Sequence, residues 1–356
     1  MARLGDVGKI ITGNTPKTSD ALNYSSNDIC FVKPSDILGG EITVITDSEF
    51  YISNYARDKA RILPPKSVLV TCIGIIGKVA INNVECAFNQ QINAIVPDTS
   101  KCLTEYLAYA IQNKQKEMQD IANAPVVPIL NKTQFSEIEI ELPSIESQTE
   151  VVAKMRAIDD LISLRKQQLS KLDELVKSRF IEMFGDIHEP SKWDKKPWSE
   201  VVTIQNGRDY KNILVESGGY PVYGTGGEMA RASDYLCPEN TIIVGRKGTI
   251  NNPLLVKEKF WNVDTAFGVI VGNQLHYQYF YNFCRMFDFS TLNKQAVLPS
   301  TTKADLLKIE IAVPPMELQN HFATFVEQTD KSKLAIQQSL EKLETLKKAL
   351  MQKYFE

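Results

Sequence analysis

The chain has 356 residues, of which 43% are hydrophobic and 23% charged, a composition typical of soluble globular proteins. This length exceeds one compact core and fits two domains with connecting helices. A net charge of -3 disfavours a nucleic-acid partner, because phosphate binding needs cationic surface, although it leaves room for a local cationic cleft. No apolar run approaches the roughly 20 residues that span a bilayer, and no apolar signal core opens the chain, so we expect a cytoplasmic protein without a membrane partner.

The first part of the chain is typical of β structure. Short β-branched runs such as Ile29–Val32 and Ser67–Cys72 are separated by Gly, Pro and Asn. A helical stretch is predicted near Leu103–Met118. After Pro143-Ser144, about 39 residues contain neither Gly nor Pro until Gly185, which predicts one long helix.

The second part repeats this order of elements. Predicted strands over Thr241–Val244 and Phe267–Val271 come before a helical stretch near Leu275–Arg285. After Pro314-Pro315, another stretch of about 39 residues without Gly or Pro runs to the end of the sequence. The sequence therefore predicts two β-rich parts, each followed by a long helix.

Both long helices carry apolar residues at alternating spacings of four and three, which is the coiled-coil pattern. At 1.5 Å per residue, about 39 residues give roughly 58 Å, longer than a helix that only covers its own domain. We therefore favour packing of the two helices on each other. The predicted seam comprises Val151, Met155, Ile158, Ile162, Leu169, Leu172, Val176 and Met183, then Phe322, Val326, Ile336, Leu340, Leu343, Leu350 and Tyr354. Polar residues interrupt it at Arg165, Thr329, Lys333 and Lys347.

The strongest feature of the sequence is an internal duplication. Residues 124–185 align with residues 295–356 without a gap, and about 17 of roughly 62 pairs are identical, where chance gives only a few. The identical pairs include Pro128/Pro299, Lys132/Lys303, Gln148/Gln319 and Phe184/Phe355. Upstream, only short anchors correspond: Leu4-Gly5-Asp6-Val7 with Trp198-Ser199-Glu200-Val201, and Pro65-Lys66-Ser67 with Pro238-Glu239-Asn240. A repeated framework thus carries two dissimilar inserts.

This layout suggests a reader of DNA. Duplicated units usually relate by an approximate two-fold axis, which would pair the helices antiparallel and place one insert at each end. Duplex DNA has two-fold axes of its own, so such a molecule can engage two half-sites, and unlike inserts predict an asymmetric target. A two-armed scaffold that bridges two protein partners would have the same layout and remains the alternative. A stand-alone enzyme is disfavoured, because three dispersed histidines and six scattered cysteines provide no converging catalytic groups, metal site or disulfide framework.

Loops in the two inserts have residue types suited to nucleic acid. The second insert contains an aromatic and glycine-rich segment, residues 220–227, and the basic segment Gly245-Arg246-Lys247-Gly248-Thr249 after a predicted strand. In the first insert, residues 73–78 occupy the related place. Glycine permits close approach of the backbone to phosphate, and Arg and Lys contact phosphates and base edges. Ordinary solvated turns have the same composition, so these loops alone do not specify DNA.

The chain resembles the specificity subunit of type I restriction–modification systems over nearly its whole length. The resemblance rests on Leu4-Gly5-Asp6-Val7 with Gly13 and Pro16, and on Tyr220-Pro221-Val222-Tyr223-Gly224. Its most specific elements are the borders Ile138–Gln148 and Ile309–Gln319, where alternating apolar residues lead through proline to Glu and Gln at the start of a long helix. Met183-Phe184-Gly185, at the end of the first helix, also fits.

The resemblance implies an α+β fold with two β-rich target-recognition domains, residues 1–143 and 186–313. Two long antiparallel spacer helices, residues 144–185 and 314–356, would join and separate them as a coiled coil. It implies a non-catalytic subunit that reads an asymmetric two-part target in double-stranded DNA. Two partner methylase subunits, which hold S-adenosylmethionine, would modify adenine at N6, and motor–nuclease subunits can join. The chain itself would bind no cofactor.

The resemblance also implies which residues face DNA. They are Lys33, Ser35, Asp36 and Lys78 in the first domain, and Tyr223, Gly226, Arg246, Lys247 and Lys303 in the second. Two absences agree with catalysis by a partner. Asn252-Pro253-Leu254 does not match the Asn/Asp-Pro-Pro-aromatic motif of adenine methylases, and Gly74–Lys78 is two residues too short for a nucleotide-binding loop.

Overall fold

The chain folds into two compact units. A computed structural model describes residues 1–122, 127–292 and 300–355; Pro299 of the predicted repeat lies outside them. Unit 1 comprises Met1–Leu164 and Ser339–Glu356, and unit 2 comprises Arg165–Gln338. The two long helices each contribute residues to both units. The domain bounds predicted from the sequence divide the chain differently, separating helices from domains, and stay a prediction.

Unit 1 is built on a five-stranded sheet and a smaller four-stranded sheet. Its elements are β1 (Ala2–Arg3), α1 (Leu4–Val7), β2 (Gly8–Thr12), β3 (Ile29–Val32), β4 (Thr43–Ile45), β5 (Tyr51–Ile52), β6 (Ile62–Leu63), β7 (Val68–Thr71), β8 (Val79–Asn82), β9 (Cys86–Phe88), β10 (Ile92–Pro97), α2 (Thr104–Asn113), α3 (Gln115–Ile121), α4 (Lys132–Ser136), β11 (Glu139–Ile140) and the first part of α5 (Ile145–Phe184). The sheet orders are β2-β10-β7-β8-β4 and β5-β3-β9-β6, with β1 paired to β11. Strand β7 is buried on both faces: Val68 and Val70 pack in the cluster that includes α2, and Leu69 packs in the cluster on the opposite face.

Unit 2 repeats this arrangement. Its elements are β12 (Lys195–Pro197), α6 (Trp198–Val201), β13 (Val202–Asn206), β14 (Leu214–Val215), β15 (Tyr220–Gly224), β16 (Gly227–Ala232), β17 (Thr241–Gly245), β18 (Leu254–Val256), β19 (Trp261–Asn262), β20 (Ala266–Val271), α7 (Tyr277–Met286), α8 (Lys303–Leu306), β21 (Glu310–Ala312) and the first part of α9 (Met316–Phe355). The sheet β13-β20-β17-β18 has the order of β2-β10-β7-β8 in unit 1, and β12-β21 matches β1-β11. The predicted α+β fold and the internal repeat are confirmed.

The structure corrects one of the sequence anchors by one residue. The Ser67 hydroxyl donates to the carbonyl of Pro64 at 2.8 Å, and the Thr241 hydroxyl donates to that of Pro238 at 2.7 Å. The preceding residues, Lys66 and Asn240, have φ of 69° and 58°. Pro64, and not Pro65, is therefore the counterpart of Pro238. The sequence alignment paired Pro65 with Pro238 and was wrong. The turn is defined by its backbone conformation and by the hydroxyl group three residues after the proline.

The long helices pair antiparallel within each unit. In unit 1, Asp159 of α5 lies 2.7 Å from the ammonium of Lys347 of α9. In unit 2, Asp173 lies 2.8 Å from the ammonium of Lys333, and Phe184, further along α5, packs on Phe322, earlier in α9. Two of the residues that interrupt the predicted seam, Lys333 and Lys347, thus form ion pairs between the two helices. Their long aliphatic stems let the lysines stay at the seam, with side chains only 15% and 18% exposed.

A duplicated glutamine ties each helix start to its unit. Gln148 and Gln319 are fully buried. The amide oxygen of Gln148 accepts from the backbone N–H of Leu103 at 2.8 Å, and that of Gln319 accepts from the backbone N–H of His276 at 2.7 Å. Each amide nitrogen also donates to the carbonyl of the proline before its helix, at 2.9 and 2.8 Å. The repeated Gln therefore provides hydrogen-bond partners for backbone N–H and C=O groups near the start of each long helix.

A duplicated aromatic pair closes each core. The Tyr106 ring lies 5.1 Å from that of Phe355, and the Tyr279 ring lies 4.7 Å from that of Phe184. Both tyrosine hydroxyls donate to a backbone carbonyl at the equivalent place, at 3.1 and 2.9 Å. The strands of each unit come from one repeat and the closing phenylalanine comes from the helix of the other. Each core is therefore completed by residues from both halves of the sequence.

The cysteines are unpaired, and Cys72, Cys86, Cys102, Cys237 and Cys284 are buried while Cys30 is half-buried. Burial raises the pKa of the Cys72 thiol to about 12. In the described ranges, no helix combines the length and apolar character that a membrane crossing requires.

Candidate nucleic-acid interface

The two units present corresponding loops after their central strands. The β7–β8 loop covers residues 72–78, and the β17–β18 loop covers residues 246–253. Gly74 and Gly248 occupy the same place with φ of 77° and 79°, and a Cβ would meet no atom within 4 Å at either. Ile76 and Ile250, two residues later, are both buried. Each loop is therefore an exposed left-handed turn anchored by a buried isoleucine.

Both loops are also fixed from the other side by the segment that leads to the long helix. The backbone N–H of Leu130 donates to the carbonyl of Cys72 at 2.9 Å, and that of Thr301 donates to the carbonyl of Arg246 at 3.0 Å. The Thr301 hydroxyl donates as well, to the carbonyl of Gly245 at 2.7 Å. The repeated framework thus holds the two loops in the same way while their exposed residues differ.

In unit 1 the structure brings the predicted residues Lys33, Ser35, Asp36 and Lys78 together. Residues 34–36 form a single turn of 3-10 helix. The Asp36 carboxylate accepts from the backbone N–H of Lys33 at 2.7 Å and from that of Glu49 at 3.0 Å, so it shapes the turn. The Lys78 ammonium donates to the carbonyl of the residue after the turn at 2.9 Å. Ser35 is exposed, and it is the member of this group whose side chain is most open to a ligand.

The Lys33 side chain is held against an aromatic ring. Its ammonium lies 3.0 Å from the centroid of Phe50, which is itself 39% exposed. A cation over an aromatic face is attracted by the negative face of the ring. Lys33 and Phe50 together provide a charged donor beside a flat apolar surface. Sequence reasoning did not pair these two residues, because 17 residues separate them.

In unit 2, Tyr223 and Arg246 flank the turn at residues 263–265. The carbonyl of Tyr223 accepts from the backbone N–H of Val263 at 3.0 Å, and the backbone N–H of Arg246 donates to Thr265 at 2.9 Å. Burial raises the pKa of Tyr223, so its hydroxyl stays protonated and can donate. Gly226, in the hairpin after Tyr223, is exposed and has open space where a Cβ would lie.

The basic loop of unit 2 is open to solvent. Arg246, Lys247, Gly248 and Thr249 are all exposed. The Arg246 guanidinium lies 5.8 Å from the centroid of Phe267 and donates weakly, at 3.4 Å, to the carbonyl of Asp264. Within the described part of the chain, the Lys247 ammonium has neither a hydrogen bond nor an ion pair. These two cations are therefore free to contact a phosphate or a base edge.

Lys303 follows, by two residues, Thr301, whose backbone N–H donates to the carbonyl of Arg246. It is exposed at the start of α8, and its ammonium donates to the carbonyl of Ile204 at 2.8 Å. Like Lys78, it therefore has a structural hydrogen bond inside its own unit. The role of both lysines on DNA stays a prediction.

Sequence reasoning missed Arg208. This exposed residue follows Gly207, where a Cβ would lie 1.9 Å from the carbonyl oxygen of Val263. The backbone of Arg208 is fixed on both sides, by Asn262, which accepts from its N–H at 3.0 Å, and by the Trp261 indole, which donates to its carbonyl at 2.9 Å. Arg208 therefore lies beside the same turn as Tyr223 and Arg246. In the sequence, the adjacent pair Gly207-Arg208 is the signal that could have indicated this arrangement.

The family of the chain follows from its match to a domain model. The model described as the type I restriction modification DNA specificity domain matches residues 1–174 and 190–347. The two matched segments begin near β1 and near β12 and so follow the structural repeat. The chain belongs to this family.

Individual relatives agree. The type I restriction enzyme MjaIX specificity subunit of Methanocaldococcus jannaschii is 24% identical over 398 residues, covering 99% of this chain and 91% of the relative. The HindI specificity subunit of Haemophilus influenzae is 36% identical over 150 residues, covering 41% of this chain and 32% of the relative.

Two solved structures share the fold. The S subunit of a type I restriction–modification system from M. genitalium superposes with a TM-score of 0.62 at 13% identity, covering 99% of this chain and 95% of that one. A chain from a structure on complex assembly and conformational transition of the type I R-M system gives 0.60 at 17% identity, covering 99% and 96%. At these identities the likeness concerns the fold alone.

Proposed function

We propose that this chain is the DNA sequence-recognition subunit of a type I restriction–modification complex and reads an asymmetric two-part target in double-stranded DNA. The observation that carries the proposal is the pair of corresponding loops after β7 and β17. The framework holds both in the same way, yet one exposes Gly74 and Ile75 and the other exposes Arg246, Lys247 and Thr249. A shared framework with unlike exposed residues is what two different half-sites require.

We infer further that catalysis comes from partner subunits. Two methylase subunits would bind S-adenosylmethionine and modify adenine at N6, and motor–nuclease subunits would join them when the complex cleaves. The long helices offer a repeated docking surface for two copies of one partner. Leu175 of α5 and Leu346 of α9 are equivalent in the repeat, and both are 48% exposed. Exposed leucines at equivalent positions suit two identical apolar contacts.

The proposal is tested by removing the free cations of the β17–β18 loop. The double substitution Arg246→Ala and Lys247→Ala should weaken binding to a target duplex at least about tenfold and reduce the salt slope of log K by about 1.8, if both contact phosphates. The binding is measured by fluorescence anisotropy at several salt concentrations, with the methylase partner co-expressed.

The matched control removes two positive charges elsewhere. Lys9→Ala with Lys195→Ala, both exposed and outside the β17–β18 loop and the long helices, should leave the salt slope unchanged. Equal binding of the wild type and the loop variant to every duplex would contradict the proposed site. A chain that joins its partners but binds no duplex at any salt concentration would favour the protein-bridging scaffold.

A further inference from the structure

Unit 2 contains a cavity of about 410 Å³ among α5, α7 and α9, closed on one side by the β17–β18 loop. This volume falls in the range of small-molecule sites. The cavity is distinct from the exposed tip of the β17–β18 loop, because it lies against the helices. It therefore needs its own explanation.

Two side-chain amides line the cavity, and some of their hydrogen-bonding atoms have no partner in the fold. Gln278 is 1% exposed and Asn282 is 5% exposed. Among the described residues, the side-chain amide of Gln278 forms no hydrogen bond, and that of Asn282 forms one, from its nitrogen to the carbonyl of Gln278 at 2.8 Å. The unpaired atoms of both amides are accessible from the cavity, since neither amide is among the fully enclosed side-chain groups without a partner in the described residues. Their open donors and acceptors face a space that a polar ligand can fill.

Charged side chains surround the same space. The Asp173 carboxylate lies 2.8 Å from the Lys333 ammonium and 3.4 Å from the Arg285 guanidinium. The Lys257 ammonium lies 3.3 Å from the Asp330 carboxylate. Burial opposes ionisation of Asp173, but Lys333 and Arg285 outweigh it and lower the pKa of this carboxyl. Three cations therefore face two carboxylates, which leaves one positive charge in excess.

The equivalent place in unit 1 is filled. Counted from the duplicated tyrosines of α2 and α7, Asn282 corresponds to Tyr109. In the gap-free repeat that contains the long helices, Asp330 corresponds to Asp159. The Tyr109 ring is 5% exposed, and its hydroxyl donates to Asp159 at 2.7 Å. Lys347 pairs with the same carboxylate at 2.7 Å. In unit 1 a tyrosine therefore fills this space, whereas in unit 2 the smaller asparagine leaves it open.

We propose that this cavity binds a small phosphate-bearing ligand of mononucleotide size, with the phosphate between Arg285 and Lys333 and the polar remainder hydrogen-bonded to Gln278 and Asn282. The forked donors of arginine and the compact charge of lysine are suited to phosphate oxygens. The amides offer both donors and acceptors to a polar ring edge. This site goes beyond DNA recognition, which the exposed loops carry without it.

The test is calorimetric titration of the full chain with AMP, adenosine and inorganic phosphate. AMP should bind at least about tenfold more tightly than adenosine, because adenosine lacks the charged group. No measurable binding of AMP at millimolar concentration, or equal binding of AMP and adenosine, would overturn the proposal. Displacement of AMP by a short duplex would also overturn it, since the phosphate would then belong to DNA.

Three variants connect the binding to the cavity. Asn282→Tyr places in unit 2 the side chain that unit 1 carries, and it should abolish AMP binding while DNA affinity and thermal stability are retained. Lys333→Met should weaken AMP binding about tenfold, whereas Lys342→Met, on an exposed position of the same helix, should not.

Asp173→Asn removes a competing negative charge and should tighten AMP binding about threefold. Unchanged AMP affinity in the Asn282→Tyr variant, or weaker affinity in the Asp173→Asn variant, would contradict the assignment.

Discussion

The ammonium groups of Lys78 and Lys303 show how a residue's partner decides its role. Both donate to backbone carbonyls of their own unit, Lys78 to Ile37 at 2.9 Å and Lys303 to Ile204 at 2.8 Å. The resemblance to the family implied that these lysines contact DNA. It did not predict the carbonyl partners, because those lie 41 and 99 residues away. By contrast, Arg246 and Lys247 directly follow a strand, and their exposure was predictable.

We predict that Lys303→Met acts mainly on stability. Loss of a charged hydrogen bond at the protein surface should lower the free energy of unfolding of unit 2 by about 1 kcal/mol, because the Ile204 carbonyl loses its lysine donor. Urea denaturation followed by tryptophan fluorescence measures this change. Lys308→Met, an exposed lysine on the same segment, is the control. A tenfold loss of DNA affinity with unchanged unfolding would instead assign Lys303 to DNA.

At the scale of elements, the positions of the long helices were predicted correctly. The packing role of the phenylalanine at the end of each helix was not predicted. The absence of Gly and Pro predicted the helices that the structure places at Ile145–Phe184 and Met316–Phe355. The strand Ile29–Val32 was also predicted with its bounds. The sequence did not reveal that Phe184 and Phe355 close the cores of the units. Periodicity identifies an apolar face, but it does not identify the tyrosine that packs on that face, which lies far away in the chain.

We predict that Phe355→Ala and Phe184→Ala destabilise different units. Each substitution removes a buried ring and should cost about 3–5 kcal/mol. Hydrogen exchange should show lost protection of α2 and β7 in the Phe355→Ala variant, and of α7 and β17 in the Phe184→Ala variant. Each variant is the control for the other. Equal loss of protection in both units from either substitution would contradict the closure of separate cores.

At the scale of the whole molecule, the duplication was the most informative feature of the sequence. Identities such as Gln148/Gln319 and Phe184/Phe355 mark the framework, and the structure gives each pair the same contact. The inserts show almost no identity and their exposed loops differ, although four strands of the larger sheet keep the same order in both units. The loops that carry candidate DNA residues could therefore be predicted. The neighbours of those residues could not, such as Phe50 beside Lys33 and Arg208 beside the turn that Arg246 contacts.

We predict that the helices set the spacer between the half-sites. Insertion of seven residues in both helices, near Leu169 and Leu340, keeps the coiled-coil pattern and lengthens each by about 10 Å. The methylated target should keep its two half-sites and change its spacer. Replacement of seven residues at the same places without a change in length should preserve the spacer. An unchanged spacer after the insertion would rule out this role.

The central claim is that this chain alone determines a two-part target for a methylase. It is tested most directly by single-molecule sequencing of genomic DNA from a host without other methylases, in which the chain is expressed with its methylase partner. We predict N6-methyladenine within one motif made of two unlike half-sites separated by a fixed number of unspecified bases. Methylation at a single uninterrupted motif, or the same motif when the chain is omitted, would contradict the claim.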